Sequence, residues 1–392
     1  MTTALRLAMR NLLGAGLRTW LNVFVLSLSF VLIIWYQGVL EGWNQQACRD
    51  TIAWEIGGGQ YWHPAYDPYD PFTLQEAHGP VPPPLGERVM RGELTPILVT
   101  QATIYPGGRM QNALIKGIDP RQRILRIPSS SLEVRGPEIP AIVGTRMASS
   151  CRLHVGDVFM VRWRDRHGTF DAREVKIVQI MKTEVASIDN GQLWIPLVTL
   201  QEMLGMPSEA TFLVAEPSVP PAEGALGWEF KSQDFLLQDI KAIVRAKSVG
   251  VAVLYLVLMA LALLAIFDTQ VLSIFRRRKE IGTLMALGMT RGQVVTLFTV
   301  EGAMHGLFAA LVAALYGIPL LGYFAARGLS LPKKVADSMG LAIAERIFPV
   351  YGALLVLGTT LLVLLAVTVV SFLPARKIAK MQPTDALRGR TS

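Results

Sequence analysis

Residues 249–279 read VGVAVLYLVLMALALLAIFDTQVLSIFRRRK, and this stretch decides the class of fold. From Val249 to Phe275 the only formal charge is Asp268, and four basic residues, Arg276, Arg277, Arg278 and Lys279, follow at once. An α-helix rises ~1.5 Å per residue, so the run reaches across the roughly 30 Å hydrocarbon layer of a bilayer. The basic cluster then holds its end among the lipid headgroups. Three further runs repeat the pattern: Leu21 to Leu40 and Val350 to Phe372 carry no charge, and Val294 to Leu320 carries one Glu and one His. The first run lacks a small-x-small cleavage signature, and Trp35 and Tyr36 near its end suit an interfacial anchor, so it reads as a membrane helix rather than a signal peptide.

The chain has 392 residues, 51 % hydrophobic and 17 % charged, with a net charge of +8. Such a charge could suit nucleic acid, but its distribution argues against that partner. Residues 41–247 hold 21 basic and 24 acidic side chains, which leaves 17 basic and 6 acidic for the rest. The excess lies at Arg6, Arg10 and Arg18, at Arg276–Lys279 with Arg291, and at Arg376, Lys377, Lys380, Arg388 and Arg390. The positive-inside rule places these clusters, and both termini, in the cytoplasm.

The expected fold is therefore an α-helical membrane protein with four transmembrane helices plus an α+β extracytoplasmic domain. Residues 1–19 form an amphipathic interfacial helix, with Leu5, Met9, Leu12 and Leu13 opposite Arg6 and Arg10. The spans cover 20–40, 249–275, 294–320 and 350–373. Residues 41–248 form the extracytoplasmic domain, 276–293 a cytoplasmic segment, 321–349 an outer loop and 374–392 a cytoplasmic tail. Within the outer domain a Pro-rich stretch at 57–90 excludes long regular elements. Short β-rich runs follow at 96–100, 157–161 and 174–178, and helical periodicity returns at 196–204 and 234–247. The last of these is expected to run into the second span as a stalk. Cys48 and Cys151 both fall in the outer domain, where a disulfide is permitted and two unpaired thiols fit equally well.

The segment RRRKEIGTLMALGMTRGQ, residues 276–293, places Ile281, Leu284, Met285 and Leu287 on a short apolar face that no bilayer buries. Such a face wants a partner, although an ordinary basic juxtamembrane loop would carry the same charges. Gly282 allows close backbone approach and Gly288 a tight turn. Residues Arg278-Lys279-Glu280-Ile281-Gly282, Ala286-Leu287-Gly288, Arg291 and Glu301-Gly302 together resemble the signature of the FtsX-like permease family of ABC transporters. Leu7–Leu13 is similar to that family's entry helix, and Pro374–Arg376 with Pro383–Arg388 to its tail. In the outer domain, Lys116–Pro120, Val143–Ala148, Val155–Asp157 and Ile195–Leu197 resemble the periplasmic domain of the MacB and LolC/LolE types, while residues 57–90 depart from the pattern.

The resemblance implies a non-catalytic permease subunit. Its coupling segment, carried here by Lys279, Glu280, Ile281, Gly282, Leu284, Met285, Leu287 and Gly288, would dock on ABC ATPase subunits that hold ATP and Mg. It also implies a second permease copy or paralogue as partner, a bacterial inner-membrane location, and lipoprotein release as the first-ranked activity. MacB-type export of peptides or antibiotics and FtsX-type signalling to a cell-wall hydrolase are the alternatives. The sequence itself contains no G-x-x-x-x-G-K-[ST] phosphate loop and no His-Glu-x-x-His or Cys-x-x-Cys metal motif, so no cofactor or metal is expected on this chain. An acylated or amphipathic substrate, drawn from membrane lipid, would touch Phe30, Ile33 and Ile34 on the first span and Val251, Leu254, Tyr255 and Leu258 on the second, unless these residues merely face lipid or a neighbouring helix. Asp268, Glu301 and His305 are ionisable residues in apolar runs. The two acids are expected to pair with the basic cluster, and the histidine to hydrogen-bond within the helix packing.

Overall fold

The computed structural model describes residues 17–134, 136–183, 185–221, 227–330 and 346–378. The chain divides into a β-rich unit, residues 44–242 with 331–345, and a helical unit, residues 1–43, 243–330 and 346–392. Most of the expected entry helix, most of the expected tail and residues 331–345 of the expected outer loop lie outside the described residues.

The β-rich unit contains β1 (Gln60–Trp62), β2 (Gly79–Pro80), β3 (Leu94–Ile104), β4 (Gln111–Ile118), β5 (Ile139–Gly144), β6 (Val158–Arg164), β7 (Phe170–Met181), β8 (Gln192–Pro196), β9 (Glu209–Ala210), β10 (Phe212–Ala215) and β11 (Glu229–Lys231). Nine of these form one sheet in the order β11-β1-β10-β3-β4-β8-β5-β7-β6, and β6 also pairs with β3. Strands β3, β4, β8, β5, β7 and β6 thus close a circuit, with Ala102, Thr103 and Ile104 opposite Trp163, Arg162 and Val161 at the closure. Alternation along each strand sends one set of side chains inward. Leu98, Ile115, Val143, Val161, Ile177 and Leu193 are fully buried there, beside Trp163, whose indole N–H donates to the Met203 carbonyl at 2.9 Å. A second cluster on the other face gathers Ile97, Val99, Ile118, Trp194 and Phe212.

The Pro-rich departure at 57–90 is ordered by short elements. Strand β1 joins the sheet, and a single 3-10 turn, Pro71–Gln75, is capped by Asp70, which accepts from the Phe72 amide at 3.0 Å. Helix Pro83–Met90 follows, starting on prolines whose missing N–H groups the first turn does not need. Cys48 and Cys151 are not joined in a disulfide. Lys116 is the one lysine in the buried polar set of the described residues, with its ammonium 3.5 Å from the Glu55 carboxylate and 5.1 Å from the Trp194 ring centre. Burial pulls its pKa down, against the opposing pull of Glu55.

The long helices are Leu17–Thr51, Gln238–Arg276, Arg291–Arg327 and Ala353–Ile378, of which residues 17–43 and 243–276 of the first two belong to the helical unit. Four helical stretches, Trp20–Ile56, Met259–Arg276, Arg291–Arg327 and Ala353–Arg376, are long and apolar enough to span a membrane, the first running on through a π-helical turn at Ile52–Ile56. The helices overrun the sequence boundaries: the first continues past residue 40, the second begins before 249, and the third passes 320 to end at Gly328 with φ +69°. Charge and polarity mark where a hydrocarbon layer ends, whereas a helix continues until a breaker or a cap stops it. After Gly328, β12 (Leu329–Ser330) pairs antiparallel with β13 (Arg346–Ile347) at the base of the expected loop.

Val23, Leu26 and Phe30 of the first helix pack with Ala262 and Ile266 of the second, Ala309 and Ala313 of the third, and Val363 and Val367 of the fourth. Polar links cross the same helices: Asn22 donates to Thr269, and the Ser27 and Tyr316 hydroxyls lie 3.3 Å apart. The third helix passes close to the fourth at Gly302, where an added Cβ would fall 2.1 Å from the Ser371 hydroxyl oxygen.

Candidate coupling site

The second long helix stops at Arg276 and a short helix, Arg278–Ala286, begins two residues later. Arg277 sits at the break with φ −96° and ψ 14°, so the chain changes direction there without losing a residue to a loop. The short helix ends in a turn through Gly288, whose φ of +99° a side chain would resist. Thr290 and Gln293 then form a reciprocal capping box that starts the third long helix.

The Arg277 guanidinium ties these pieces together. Its Nε and Nη2 each donate to the Glu280 carboxylate at 2.8 Å, a two-pronged pair. Its Nη1 donates to Glu301 Oε2 at 3.0 Å, and its plane lies 5.4 Å from the Phe298 ring centre. Glu280 belongs to the short helix, and Glu301 and Phe298 to the third. The hydrogen bond from Arg277 holds the Glu280 carboxyl below its ordinary range, and the same bond raises Arg277. The pairing expected for Glu301 is therefore present, with Arg277 as its partner. His305 Nδ1 lies 2.9 Å from the Glu301 carbonyl, one helical turn back, and Asp268 is exposed on its helix.

The apolar face read from the sequence divides. Ile281 is 3 % exposed and packs with Ile274, Val294, Phe298 and Ala375, with Met285 partly buried against them. The chain therefore covers Ile281 itself, and that residue leaves the set able to touch a partner. Its neighbours at helical spacing find the ends of the adjacent helices, which a reading of one segment alone does not contain. Gly282 is buried too, whereas Lys279, Glu280 and Gly288 are exposed. Leu287 is 80 % exposed and stands as the apolar residue offered outward. The side chain of Leu284 lies outside the described residues. The sequence reading missed Phe298, whose ring underlies Arg277; an aromatic three residues before an intramembrane acid was the available signal.

The substrate-facing assignment on the first span needs correction. Phe30, Ile33 and Ile34 are 1 %, 5 % and 7 % exposed, enclosed by the chain's own residues, so they present no surface to a substrate. Apolar residues lie on every side of this helix, and its inward face is marked only by Asn22 and Ser27, which bond to the other helices. The exposed side instead shows Leu21, Phe24, Leu28 and Leu32. The side chains of Val251, Leu254, Tyr255 and Leu258 lie outside the described residues.

Residues 252–383, which hold the clamp and the last three candidate spans, match the FtsX-like permease C-terminal family. The match covers about a third of the chain, and four helical stretches are long and apolar enough to span a membrane. An uncharacterized ABC transporter permease of Methanocaldococcus jannaschii is 25 % identical over 256 residues, covering 60 % of this chain and 58 % of its own. The macrolide export ATP-binding/permease protein MacB of Bordetella avium is 24 % identical over 324 residues, covering 75 % and 46 %. The lipoprotein-releasing system transmembrane protein LolC of Neisseria meningitidis serogroup B is 22 % identical over 325 residues, covering 75 % and 77 %. The chain spans 58 % and 46 % of the first two relatives' lengths, about half.

Proposed function

We propose that this chain is the permease subunit of an ABC transporter, in which ATP hydrolysis on a partner ATPase, the holder of ATP and Mg, drives conformational change in the β-rich unit. In this reading the protein sits in a bacterial inner membrane as one of two permease copies or paralogues, with both termini cytoplasmic and residues 41–248 on the outer side. The observation that carries it is the Arg277 clamp. A short helix bonded through one guanidinium to its own first turn and to the third span cannot move alone. Displacement of that helix by a docked ATPase would therefore be passed to the ends of two membrane helices.

Release of a lipoprotein or another amphipathic substrate is the cargo reading placed first, supported by the LolC likeness over 75 % of this chain. Export in the manner of MacB is second, favoured by an equal 75 % coverage at 24 % identity. The decisive experiment is purification of the full chain with whatever ATPase it captures. Leu287→Asp should remove that ATPase while leaving the melting curve unchanged, because the new carboxylate is solvated in the free chain and buried only on docking. A stoichiometric ATPase on the Leu287→Asp protein, or none on the unaltered chain, would sink the proposal. Ile281→Asp is unsuitable here, since it buries a charge within the chain and unfolds it.

A further inference from the structure

A cavity of about 860 Å³ opens on the outside of the strand circuit of the β-rich unit. Its floor is the outward face of β3 and β4, with Gln101, Thr103, Asn112 and Leu114. The Pro71–Gln75 turn supplies one wall, fastened by a hydrogen bond from Gln101 Nε2 to the Pro71 carbonyl at 3.0 Å. The other wall is β6 and its turn, which contribute Arg162, Arg164 and Arg166. Thr103 is opposite Arg162 in the ladder, and Trp163 between the arginines points into the buried core, so alternation sends Arg162 and Arg164 to the cavity side.

The charges around these arginines are unequally used. Asp165 Oδ1 accepts from the amides of His167 and Thr169 at 2.9 and 2.8 Å, so one oxygen of its carboxylate is occupied in the turn. Glu209 is taken by His78 at 2.5 Å, with Arg166 3.7 Å away. Arg164 gives its Nε to the Gly168 carbonyl at 3.2 Å, which leaves its outer two nitrogens directed elsewhere. Arg162 lies 4.3 Å over the Phe170 ring centre. Stacking uses the face of a guanidinium and leaves its edge donors for another acceptor. Glu76 is the remaining carboxylate of the lining, and it is exposed.

We propose that this cavity binds an extended acidic polypeptide segment, carboxylates on alternate residues meeting Arg162 and Arg164. Side chains two apart on a strand recur every ~6.6 Å, and an extended peptide presents its own alternate side chains at the same repeat. A single compact anion would meet one arginine and leave the polar floor unused, whereas a strand-like ligand also finds amide and hydroxyl partners in Gln101, Asn112 and Thr103. The proposal does not rest on the transport reading.

The test uses the full chain in lipid nanodiscs, without nucleotide or ATPase, at low salt. The probe is a fluorescent nine-residue peptide alternating Glu and Ala, followed by anisotropy. Saturable binding is expected, weakened about tenfold or more by Arg162→Glu with Arg164→Glu and several-fold by the milder Arg162→Gln; Arg173→Glu, on β7 outside the cavity, should leave it unchanged. A peptide of the same composition with its glutamates in one block should bind more weakly. Melting curves verify that each variant is folded, and Arg162→Gln carries the test if the double variant is not. No binding, equal binding of the block peptide, insensitivity to the cavity arginines, or displacement by tripolyphosphate at matched charge would each overturn the proposal.

Discussion

Arg277 and Arg162 are both arginines beside an aromatic ring, and they are employed in opposite ways. Arg277 donates through all three nitrogens to two carboxylates that belong to its own chain, and it is 22 % exposed. Arg162 rests on the Phe170 ring, which leaves the edge of its guanidinium to another acceptor. A saturated guanidinium holds structure together, because removing it strands the acids it neutralised. An open one contributes little to the fold and is available to something outside it.

The sharpest way to break this contrast is Arg277→Met. It removes the ion pair to Glu301, whose side chain is 9 % exposed, and should cost about 3 kcal/mol in the thermal unfolding of the detergent-solubilised chain. A melting temperature unchanged by Arg277→Met would remove the clamp. Acid should act in the same direction and more weakly. The folded Glu280 pKa lies below its unfolded value of about 4.3, so its contribution is complete above that pH and is lost as pH falls through the lowered folded value. Because that side chain is 53 % exposed, the expected loss is under about 1 kcal/mol. Melting curves from pH 5 to pH 3 should therefore fall more steeply for the unaltered chain than for Glu280→Gln. Parallel curves would mean that the two-pronged bond adds nothing. Arg162→Met completes the series, with an expected stability change within about 0.5 kcal/mol. A drop comparable to that of Arg277→Met would show that Arg162 is structural.

The two units differed in how far their sequence could be read, for a physical reason. In the strands, polar and apolar residues alternate, so Val161 and Trp163 announce an inward face and Arg162 and Arg164 an outward one. What the residues do not carry is the pairing of β3 with β6, a long-range closure fixed by twist and packing. In the first span apolar residues surround the helix, so its length is legible while its inward side is marked only by Asn22 and Ser27. Of the two readings open for Phe30 and Ile33, substrate contact and packing against neighbours, burial supports the second. The coupling segment lies between these cases: its basic anchor, turn glycine and apolar face could be read, but the burial of Ile281 depends on Val294, Phe298 and Ala375, which come from beyond the segment.

The additional pairing of β6 with β3 has one more consequence. A sheet rolled onto itself has few rims at which a foreign strand can zip on. Among the described residues the terminal strand of the nine-stranded sheet left with an open rim is β11, three residues long and bearing Glu229 and Lys231, which bond each other at 2.6 Å. Short length and paired opposite charges are how open-edged proteins discourage stacking with their own kind. A β-rich unit crowded beside many copies of itself on a membrane surface would thus stay unpolymerised, and Lys231→Val with Glu229→Val marks the rim where fibrils would first nucleate.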